Sequence, residues 1–283
     1  MIANINKTRE ILNKYDLKAK KQFGQNFLVD ANIIRRIVSE AKVDKTCGVV
    51  EIGPGIGALT EELANCAKKV LCYEIDSDMV TILKENLNKE NVYIKEEDFL
   101  EVDLEKDIEF FDDCEEIKVI SNLPYYITTP IIFKLLESDN RIKDFYFMVQ
   151  KEVGDRLTGK PKTKDYNSLS VLIDFQSNAR TCFMVGKNCF YPAPNVDSAI
   201  IHIEKVKKDY SVNNKANFLK FVQNIFALRR KTLVNNISSQ YGIKKEDAIE
   251  VIKSLGYKET IRSEELVIEE MIEIYNEFFV NHN

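Results

Sequence analysis

The chain has 283 residues, of which 45% are hydrophobic and 30% are charged, and its formal net charge is −5. The length predicts about two domains, and no apolar run is long enough to cross a bilayer. Six cysteines without a C-x-x-C pair and only two histidines exclude a zinc site of the usual spacing, and they leave little for a histidine-activated nucleophile.

The acidic balance argues mildly against a polyanionic partner for the chain as a whole. Basic residues nevertheless gather at 17–21, in a loop at 151–164 and at 229–231. Taken singly, each cluster is expected to be a solvated face. The N-terminal segment is polar and lacks the apolar core of a signal peptide, so a cytoplasmic protein is expected.

The first half of the chain alternates short apolar segments with amphipathic ones. Such alternation predicts βαβ units, in which helices cover both faces of a parallel sheet. Thr129 and Pro130 are expected to be the N-cap and first-turn residues of one helix. The predicted strands are GVVEI (48–52), KVLCYEI (69–75), NVYIKEEDFL (91–100), KVISNL (118–123) and DFYFMVQ (144–150), and the predicted helices span 58–68, 76–88 and 130–138.

Two later segments, LSVLIDFQ (169–176) and SAIIHIEKV (198–206), have no long helix between them and are predicted to form an antiparallel pair at one edge of the sheet. After them the pattern is wholly helical. The sequence therefore predicts a Rossmann-like α/β domain over 1–206, with a mostly parallel seven-stranded sheet, and a small all-α domain over 207–283.

The sequence EIGPGIGA follows the first predicted strand, at the edge where open α/β sheets bind ligands. Gly53 and Gly55 have no Cβ, so the backbone can turn sharply and approach a ligand closely. The pattern also matches the dinucleotide fingerprint. A structural turn, a nicotinamide cofactor and S-adenosylmethionine all remain open on this pattern alone.

Three acidic positions narrow the choice of ligand. Glu74 ends the second strand about twenty residues beyond the loop, where a carboxylate accepts ribose hydroxyls. Asp98, with Phe99 beside it, suits an adenine amine and ring, although Glu74 and Asp98 could instead cap helices. Glu51 stands where a dinucleotide would place its pyrophosphate, and a carboxylate there favours a cation such as a sulfonium. Methyl transfer is therefore favoured over hydride transfer.

The segment SNLPYYITTP (121–130) ends the fourth predicted strand, beside the glycine loop. The exocyclic amine of adenine has its lone pair delocalised into the ring, so methylating it requires acceptors on its two N–H bonds. The Asn122 side chain and the Leu123 carbonyl are the expected acceptors. Pro124 fixes the backbone that presents them, and Tyr125 offers a flat face for the base. A strand end followed by a capped helix would explain Thr129 and Pro130 but not the asparagine and the tyrosine around the proline, so the functional interpretation is favoured.

Eight motifs in order carry a family resemblance. They are KKQFGQNFLVD, VVEIGPGIGALT, YEID, EDFL, SNLPYYITTP, FMVQKEVGDRL, FYPAPNVDSAI and FALRRKTL. From about Lys20 onward the chain resembles the small-subunit rRNA adenine dimethyltransferases, the KsgA/RsmA family. The resemblance implies S-adenosylmethionine as cofactor. It also implies dimethylation of two adjacent adenosines in a hairpin near the 3′ end of 16S rRNA, within a 30S precursor during ribosome biogenesis.

The resemblance further implies roles for particular residues. Phe190, an aromatic of FYPAP, would clamp the target adenine against Tyr125, and the basic clusters would contact the rRNA backbone. No metal is expected, and the chain is expected to be a monomer. The expected cofactor residues are Gln25, Asn26, Leu28, Glu51, Gly53, Gly55, Glu74, Ile75, Asp98, Phe99 and Asn122. The expected RNA-binding residues are Lys20, Lys21, Lys151, Arg156, Lys160, Lys162, Lys164, Arg229, Arg230 and Lys231.

Three positions depart from the commonest family pattern. Tyr126 stands where asparagine is frequent, and Asn195 stands where lysine is usual. Asn167 replaces a common glycine, and asparagine is the residue next most tolerant of positive φ. These departures affect expected RNA contacts and remove no reacting group.

Two rival functions remain open. A large-subunit rRNA adenine methyltransferase of the macrolide-resistance type shares the glycine loop and a similar corner, although FALRRKTL and DSAI favour the small-subunit enzyme. A non-catalytic ribosome-assembly factor would keep the fold, although the intact loop with Glu74, Asp98 and Asn122 argues against it.

Overall fold

The structure is a computed structural model. Three residues with predicted roles, Lys20, Lys21 and Gln25, lie outside the residues that it describes, as does Tyr126, which departs from the family pattern. Among the described helices, none combines the length and the apolar character needed to span a bilayer. The described residues are 2–15, 26–87, 89–125, 127–138 and 141–280.

The chain divides into two compact units. Unit 1 comprises Met1–Gly154 and Ala179–Lys205, and unit 2 comprises Asp155–Asn178 and Val206–Asn283. Unit 2 thus contains the predicted helical region and, in addition, Asp155–Asn178, which the sequence placed with the sheet.

Strands and helices alternate through the first half of the chain. The strands are β1 (Phe27–Leu28), β2 (Cys47–Ile52), β3 (Lys69–Glu74), β4 (Val92–Glu96), β5 (Glu116–Asn122), β6 (Asp144–Gln150), β7 (Ser177–Val185), β8 (Phe190–Tyr191) and β9 (Ser198–Lys205). The helices are α1 (Ile5–Lys14), α2 (Ala31–Glu40), α3 (Ala58–Cys66), α4 (Ser77–Asn86), α5 (Leu104–Asp107), α6 (Thr128–Glu137), α7 (Lys151–Leu157), α8 (Ser168–Asp174), α9 (Lys215–Ile225), α10 (Leu233–Tyr241), α11 (Lys245–Ser254) and α12 (Ile268–Phe279).

Seven strands form one sheet in the order β4-β3-β2-β5-β6-β9-β7. Neighbours from β4 to β6 are parallel, and β9 is antiparallel to β6. The predicted Rossmann-like, mostly parallel seven-stranded sheet is therefore confirmed. The chain runs from β2 out to β3 and β4, then returns to place β5 on the other side of β2. This reversal opens a crevice for a ligand at the carboxyl end of β2.

The prediction of a strand at 169–176 is wrong, because most of this segment belongs to helix α8 and strand β7 begins after it. A capping box begins the helix: Asn167 Oδ1 accepts the Leu169 N–H (2.8 Å), and Ser170 Oγ accepts the Asn167 N–H (3.2 Å). Asn167 itself is extended, with φ −159°, and does not use the left-handed region. A short apolar run cannot be assigned by periodicity alone, and here the cap decides in favour of the helix.

The helix after the Asn-Leu-Pro-Tyr corner begins two residues earlier than predicted, because its N-cap is Ile127 and not Thr129. The N–H of Ile127 and the hydroxyl of Thr128 both donate to the Pro124 carbonyl, each at 3.2 Å. Pro130 lies in the first turn, where its missing N–H would have no partner within the helix. The corner and the start of α6 therefore form one hydrogen-bonded turn.

The ends of the two central strands are joined by a side chain. Backbone pairing between β2 and β5 runs from Cys47↔Glu116 to Val50↔Val119. Beyond that pair, the hydroxyl of Ser121 accepts the buried N–H of Ile52 at 2.7 Å. This bond fixes β2 to β5 immediately before the glycine loop and the corner.

We expect Ser121→Ala to lower the free energy of unfolding by about 1–3 kcal/mol, because the buried N–H of Ile52 loses its acceptor. Hydrogen exchange at the Ile52 amide should accelerate in the same variant. Ser177→Ala is the matched control, since the buried Ser177 hydroxyl donates to the Ile173 carbonyl, which also accepts the Gln176 N–H. Equal losses of stability in urea titrations of the two variants would contradict this role of Ser121.

Candidate active site

A pocket of unit 1 opens at the carboxyl ends of the central strands. It joins segments that lie far apart in the sequence, because Asn26 and Asn122 are separated by 96 positions and both line it. Leu123, Pro124 and Tyr125 line the same pocket. The predicted cofactor residues found in its lining are Asn26, Leu28, Glu51, Gly53, Gly55, Glu74, Ile75, Asp98, Phe99 and Asn122.

The glycine loop packs directly against the corner after β5. Gly53 has φ +68° and Gly55 has φ +57°, in the left-handed region that favours glycine. A Cβ on Gly53 would lie 3.5 Å from both Cδ and Cγ of Pro124, and one on Gly55 would lie 3.3 Å from the Phe27 ring. The two glycines therefore allow both the turn and its close approach to neighbouring side chains.

The Glu74 carboxylate is oriented by two backbone groups. Its Oε2 accepts the Gly55 N–H and its Oε1 accepts the Asp76 N–H, each at 3.0 Å. Burial raises the pKa of this carboxyl, and the two N–H groups act in the opposite direction. Each carboxylate oxygen can accept a further hydrogen bond, so Glu74 retains the capacity to bind the two hydroxyls of a ribose.

Glu51 is the most deeply buried acid of the pocket, at 2% exposure. Burial raises the pKa of its carboxyl to about 8, and the nearby charge of Glu74 adds to the shift. The thiol of Cys72 lies 3.8 Å from Oε2. At neutral pH this carboxyl is thus mostly protonated until a cation enters the pocket.

The loop after β4 supplies an acid and an aromatic ring to the pocket. Asp98 Oδ1 accepts the Leu100 N–H at 2.9 Å, which shapes the turn. The Phe99 ring is buried and makes an edge contact with Tyr73, with centroids 5.3 Å apart. Ile75, at 51% exposure, adds an apolar face that a bound ring would cover.

Lys134 fixes this loop from α6, the helix that follows the corner. Its ammonium donates to the carbonyls of Leu100 and Val102, each at 2.7 Å. Sequence reasoning missed Lys134, because a lysine on an amphipathic helix carries no local signal that it bonds to a distant loop. The two sides of the pocket are thus tied together through one helix.

Two residues of the corner, Asn122 and Leu123, are held by long-range hydrogen bonds. Asn122 Nδ2 donates to the Asn26 carbonyl at 3.3 Å, which turns the side-chain oxygen the other way. The Leu123 N–H donates to the Met148 carbonyl at 3.2 Å and extends the pairing of β5 with β6. The corner is therefore rigid, and its Asn122 amide is oriented as an acceptor.

Phe190 is not among the residues that line the pocket. It is 3% exposed and belongs to the hydrophobic core of unit 1. In the two-stranded pairing of β1 with β8, it lies opposite Leu28, which does line the pocket. Phe190 supports the pocket wall, and its expected role in clamping the base stays a prediction.

Two basic clusters that are distant in the sequence meet in unit 2. The guanidinium of Arg229 donates to the Lys164 carbonyl, and the Lys162 N–H donates to the Glu264 carbonyl at 2.8 Å. Lys162 has φ +67°, which is unusual for a residue with a side chain. The segment that contains Lys164 also carries Arg156 and Lys160, and Arg229 is followed by Arg230 and Lys231. Lys151, in contrast, belongs to unit 1. The loop predicted at 151–164 is helical as far as Leu157.

A buried amide shapes the second basic segment. Asn236 is 1% exposed, its Oδ1 accepts the Leu228 N–H at 3.0 Å, and its Nδ2 donates to the Leu228 carbonyl at 3.3 Å. Leu228 and the three basic residues that follow it are exposed. The buried Asn236 therefore holds the backbone at the start of 228–231, while the side chains of this segment face solvent.

The fold and the pocket define a class of protein. The sheet is open, a glycine loop follows its central strand, and a buried acid ends the next strand. An Asn-Leu-Pro-Tyr corner lies beside them. These features are those of a Rossmann-like methyltransferase. The family model described as ribosomal RNA adenine dimethylase matches residues 16–279. The chain belongs to this family.

Relatives and solved structures agree with this assignment. A Bacillus licheniformis protein is 47% identical over 257 residues, covering 90% of this chain and 88% of its own, and one from Bacillus mycoides is 44% identical over 281 residues, covering 97% and 96%. Both are named ribosomal RNA small subunit methyltransferase A. The crystal structure of a dimethyladenosine transferase from Plasmodium falciparum shares the fold, with TM-score 0.73, 24% identity and coverage of 89% of this chain and 97% of that one. The crystal structure of the 23S rRNA methyltransferase ErmE matches with TM-score 0.65 and 25% identity. The match covers 89% of this chain and 99% of that one.

S-adenosylmethionine is the cofactor of this class, and the pocket fits it. Gly53 and Gly55 line the pocket without a Cβ, Glu74 presents acceptors for a ribose, and Glu51 is a buried carboxyl that can neutralise a cation. When bound, the cofactor supplies an electrophilic methyl group. Asn26, Leu28, Ile75, Asp98, Phe99 and Asn122 are the other lining residues expected to hold it.

We expect the affinity for S-adenosylmethionine to rise with pH up to about 8 and to level off above it. Below its raised pKa the Glu51 carboxyl is protonated, and it must lose that proton to pair with the cation, so affinity falls by up to about tenfold for each pH unit below that pKa. Calorimetric titration over this range should show the slope in the wild type.

Glu51→Gln is the matched variant, because it keeps the shape of the side chain and cannot ionise. The amino group of the cofactor titrates in both proteins, so the difference between them isolates Glu51. An identical pH dependence in wild type and Glu51→Gln would rule out this role.

Proposed function

We propose that this protein transfers methyl groups from S-adenosylmethionine to the exocyclic amines of two adjacent adenosines near the 3′ end of small-subunit rRNA, within a 30S precursor. The observation that carries the proposal is that one pocket contains both the glycine loop with Glu74 and the Asn122 corner. The names of the relatives that are 44% and 47% identical support the small-subunit substrate.

The corner is suited to activating an adenine amine. The Asn122 side-chain oxygen and the Leu123 carbonyl would accept the two N–H bonds, which turns the nitrogen towards sp³ and aims its lone pair at the methyl group. Because Asn122 is already oriented by its bond to Asn26, little reorganisation is required when the base enters. Tyr125 provides the face on which the base stacks.

The basic surface of unit 2 is suited to the phosphate backbone of RNA. The segments 160–164 and 229–231 meet where the Arg229 guanidinium donates to the Lys164 carbonyl, and the buried Asn236 holds the backbone of Leu228 just before the second segment. Phosphate contacts of this kind contribute affinity through counterion release without reading sequence. A local basic surface also explains how a chain of net charge −5 can bind a polyanion.

The large-subunit alternative has less support. ErmE shares the fold at 25% identity, whereas the relatives named for the small subunit reach 47%. Both kinds of enzyme would use the same corner, so only the substrate distinguishes them.

Methylation of separated ribosomal particles tests the substrate. We expect tritium from labelled S-adenosylmethionine to enter 30S precursors and to be recovered as dimethyladenosine near the 3′ end of the small-subunit rRNA. Mature 30S particles that already carry the methyl groups are the negative control. Label confined to large-subunit precursors would overturn the proposed substrate.

We expect Asn122→Ala to lower kcat by about 100-fold, because the amine loses an acceptor and its lone pair is no longer aimed. Asn86→Ala is the control, since Asn86 is an exposed asparagine outside the pocket whose side chain donates to the Ile82 carbonyl of its own helix. Cofactor binding measured on both variants separates a loss of chemistry from a loss of binding. Equal incorporation by Asn122→Ala and wild type would refute the role of Asn122, whereas a folded wild type that incorporates no label would favour an assembly factor.

A further inference from the structure

The hydroxyl of Tyr125 has no part in stacking, because a base needs only the flat ring. In the structure this hydroxyl lies 3.0 Å from Oγ of Ser198. Ser198 is fully buried, at 0% exposure, and it lies 73 positions further along the chain. A buried hydroxyl without a partner is unfavourable, so this pair has an energetic reason to stay together.

Ser198 is held in place on both sides. It is the first residue of β9 and pairs with Gln150 at the end of β6. The preceding Asp197 accepts the Lys151 N–H on its carbonyl and the Lys187 N–H on Oδ1, each at 2.9 Å. The hydroxyl that meets Tyr125 is therefore attached to a backbone that is held by strand pairing and by the hydrogen bonds of Asp197.

We propose that Ser198 is a positioning residue, whose hydrogen bond to Tyr125 fixes the ring in the orientation that stacks the target adenine beside Asn122. The proposal rests on the function proposed above. It gives a physical reason for tyrosine, and not phenylalanine, at this position and for the serine of DSAI.

The phenol of Tyr125 does not act as a base. Burial raises the pKa of Tyr125, so the hydroxyl stays protonated at neutral pH and does not serve as a base. The hydroxyl contributes by orienting the ring. Without the hydrogen bond to Ser198 the ring can rotate, and a base that stacks on a mobile ring presents its amine to the acceptors less often.

Four variants test the proposal: Ser198→Ala, Ser198→Cys, Tyr125→Phe and the double variant Ser198→Ala/Tyr125→Phe. We expect each single change to lower kcat for 30S precursors by about fivefold, the size of one neutral hydrogen bond. KM for the particle should stay within about twofold, because RNA affinity depends mainly on phosphate contacts. The kcat of the double variant should fall no further than that of either single variant, since both changes remove the same hydrogen bond.

The controls separate positioning from packing. Cysteine fills the space of the serine but bonds weakly, so Ser198→Cys should match Ser198→Ala if the hydrogen bond matters and should match wild type if only volume matters. Ser177→Ala removes another buried hydroxyl and should leave kcat unchanged. The stoichiometry of cofactor binding gives the fraction of folded enzyme in each preparation.

Additive losses in the double variant, or wild-type kcat in Ser198→Ala, would overturn the role of Ser198. A far larger loss in Tyr125→Phe than in Ser198→Ala would also overturn it, because the phenol would then act by itself. A wild type that transfers no methyl to 30S precursors would instead defeat the proposed function, so the two failures are distinguishable.

Discussion

The site depends on the close approach of the glycine loop to the Asn-Leu-Pro-Tyr corner. The positive φ of Gly53 is a backbone conformation that favours glycine, and a Cβ at this position would lie in van der Waals contact with the Pro124 ring, 3.5 Å from Cδ and Cγ. The Ser121 hydroxyl fixes the same junction one step earlier, where it accepts the Ile52 N–H. The cofactor cradle and the acceptor corner are thus parts of one rigid junction at the reversal of strand order.

Most of the polar groups around this junction are oriented before any ligand binds. Glu74 accepts two backbone N–H groups, Asp98 accepts one, and Lys134 holds the carbonyls of the neighbouring loop. Glu51 differs, because its burial disfavours the charged form until a cation is present. The pocket therefore combines acceptors that are ready for neutral hydroxyls with one carboxyl whose charge depends on the ligand.

The sequence predicted the features that local patterns encode. The parallel strands, the glycine loop, Glu74 and Asn122 follow from apolar runs and from the residues that end them. Prediction failed at 169–176, where the choice between strand and helix was made by the Asn167 cap and not by periodicity. The bonds of Lys134 to the loop after β4 and of Ser198 to Tyr125 join residues 32 or more positions apart. Only the three-dimensional structure brings these partners together, and no spacing rule in one sequence identifies them.

The reaction must also dispose of a proton, and the structure bears on how it does so. His202 lies 2.7 Å from Asp144 and stacks on Tyr146, and none of the three lines the pocket. A methylated amine that still carries its original hydrogens is a much stronger acid than adenine, so water can accept the proton and acceptor geometry becomes the main requirement. After the first transfer only one N–H remains, so in the proposed arrangement either Asn122 or the Leu123 carbonyl would lose its partner. The proposed stacking on Tyr125 would then contribute more to the alignment of the base, and the orientation of that ring would matter most in the second methylation.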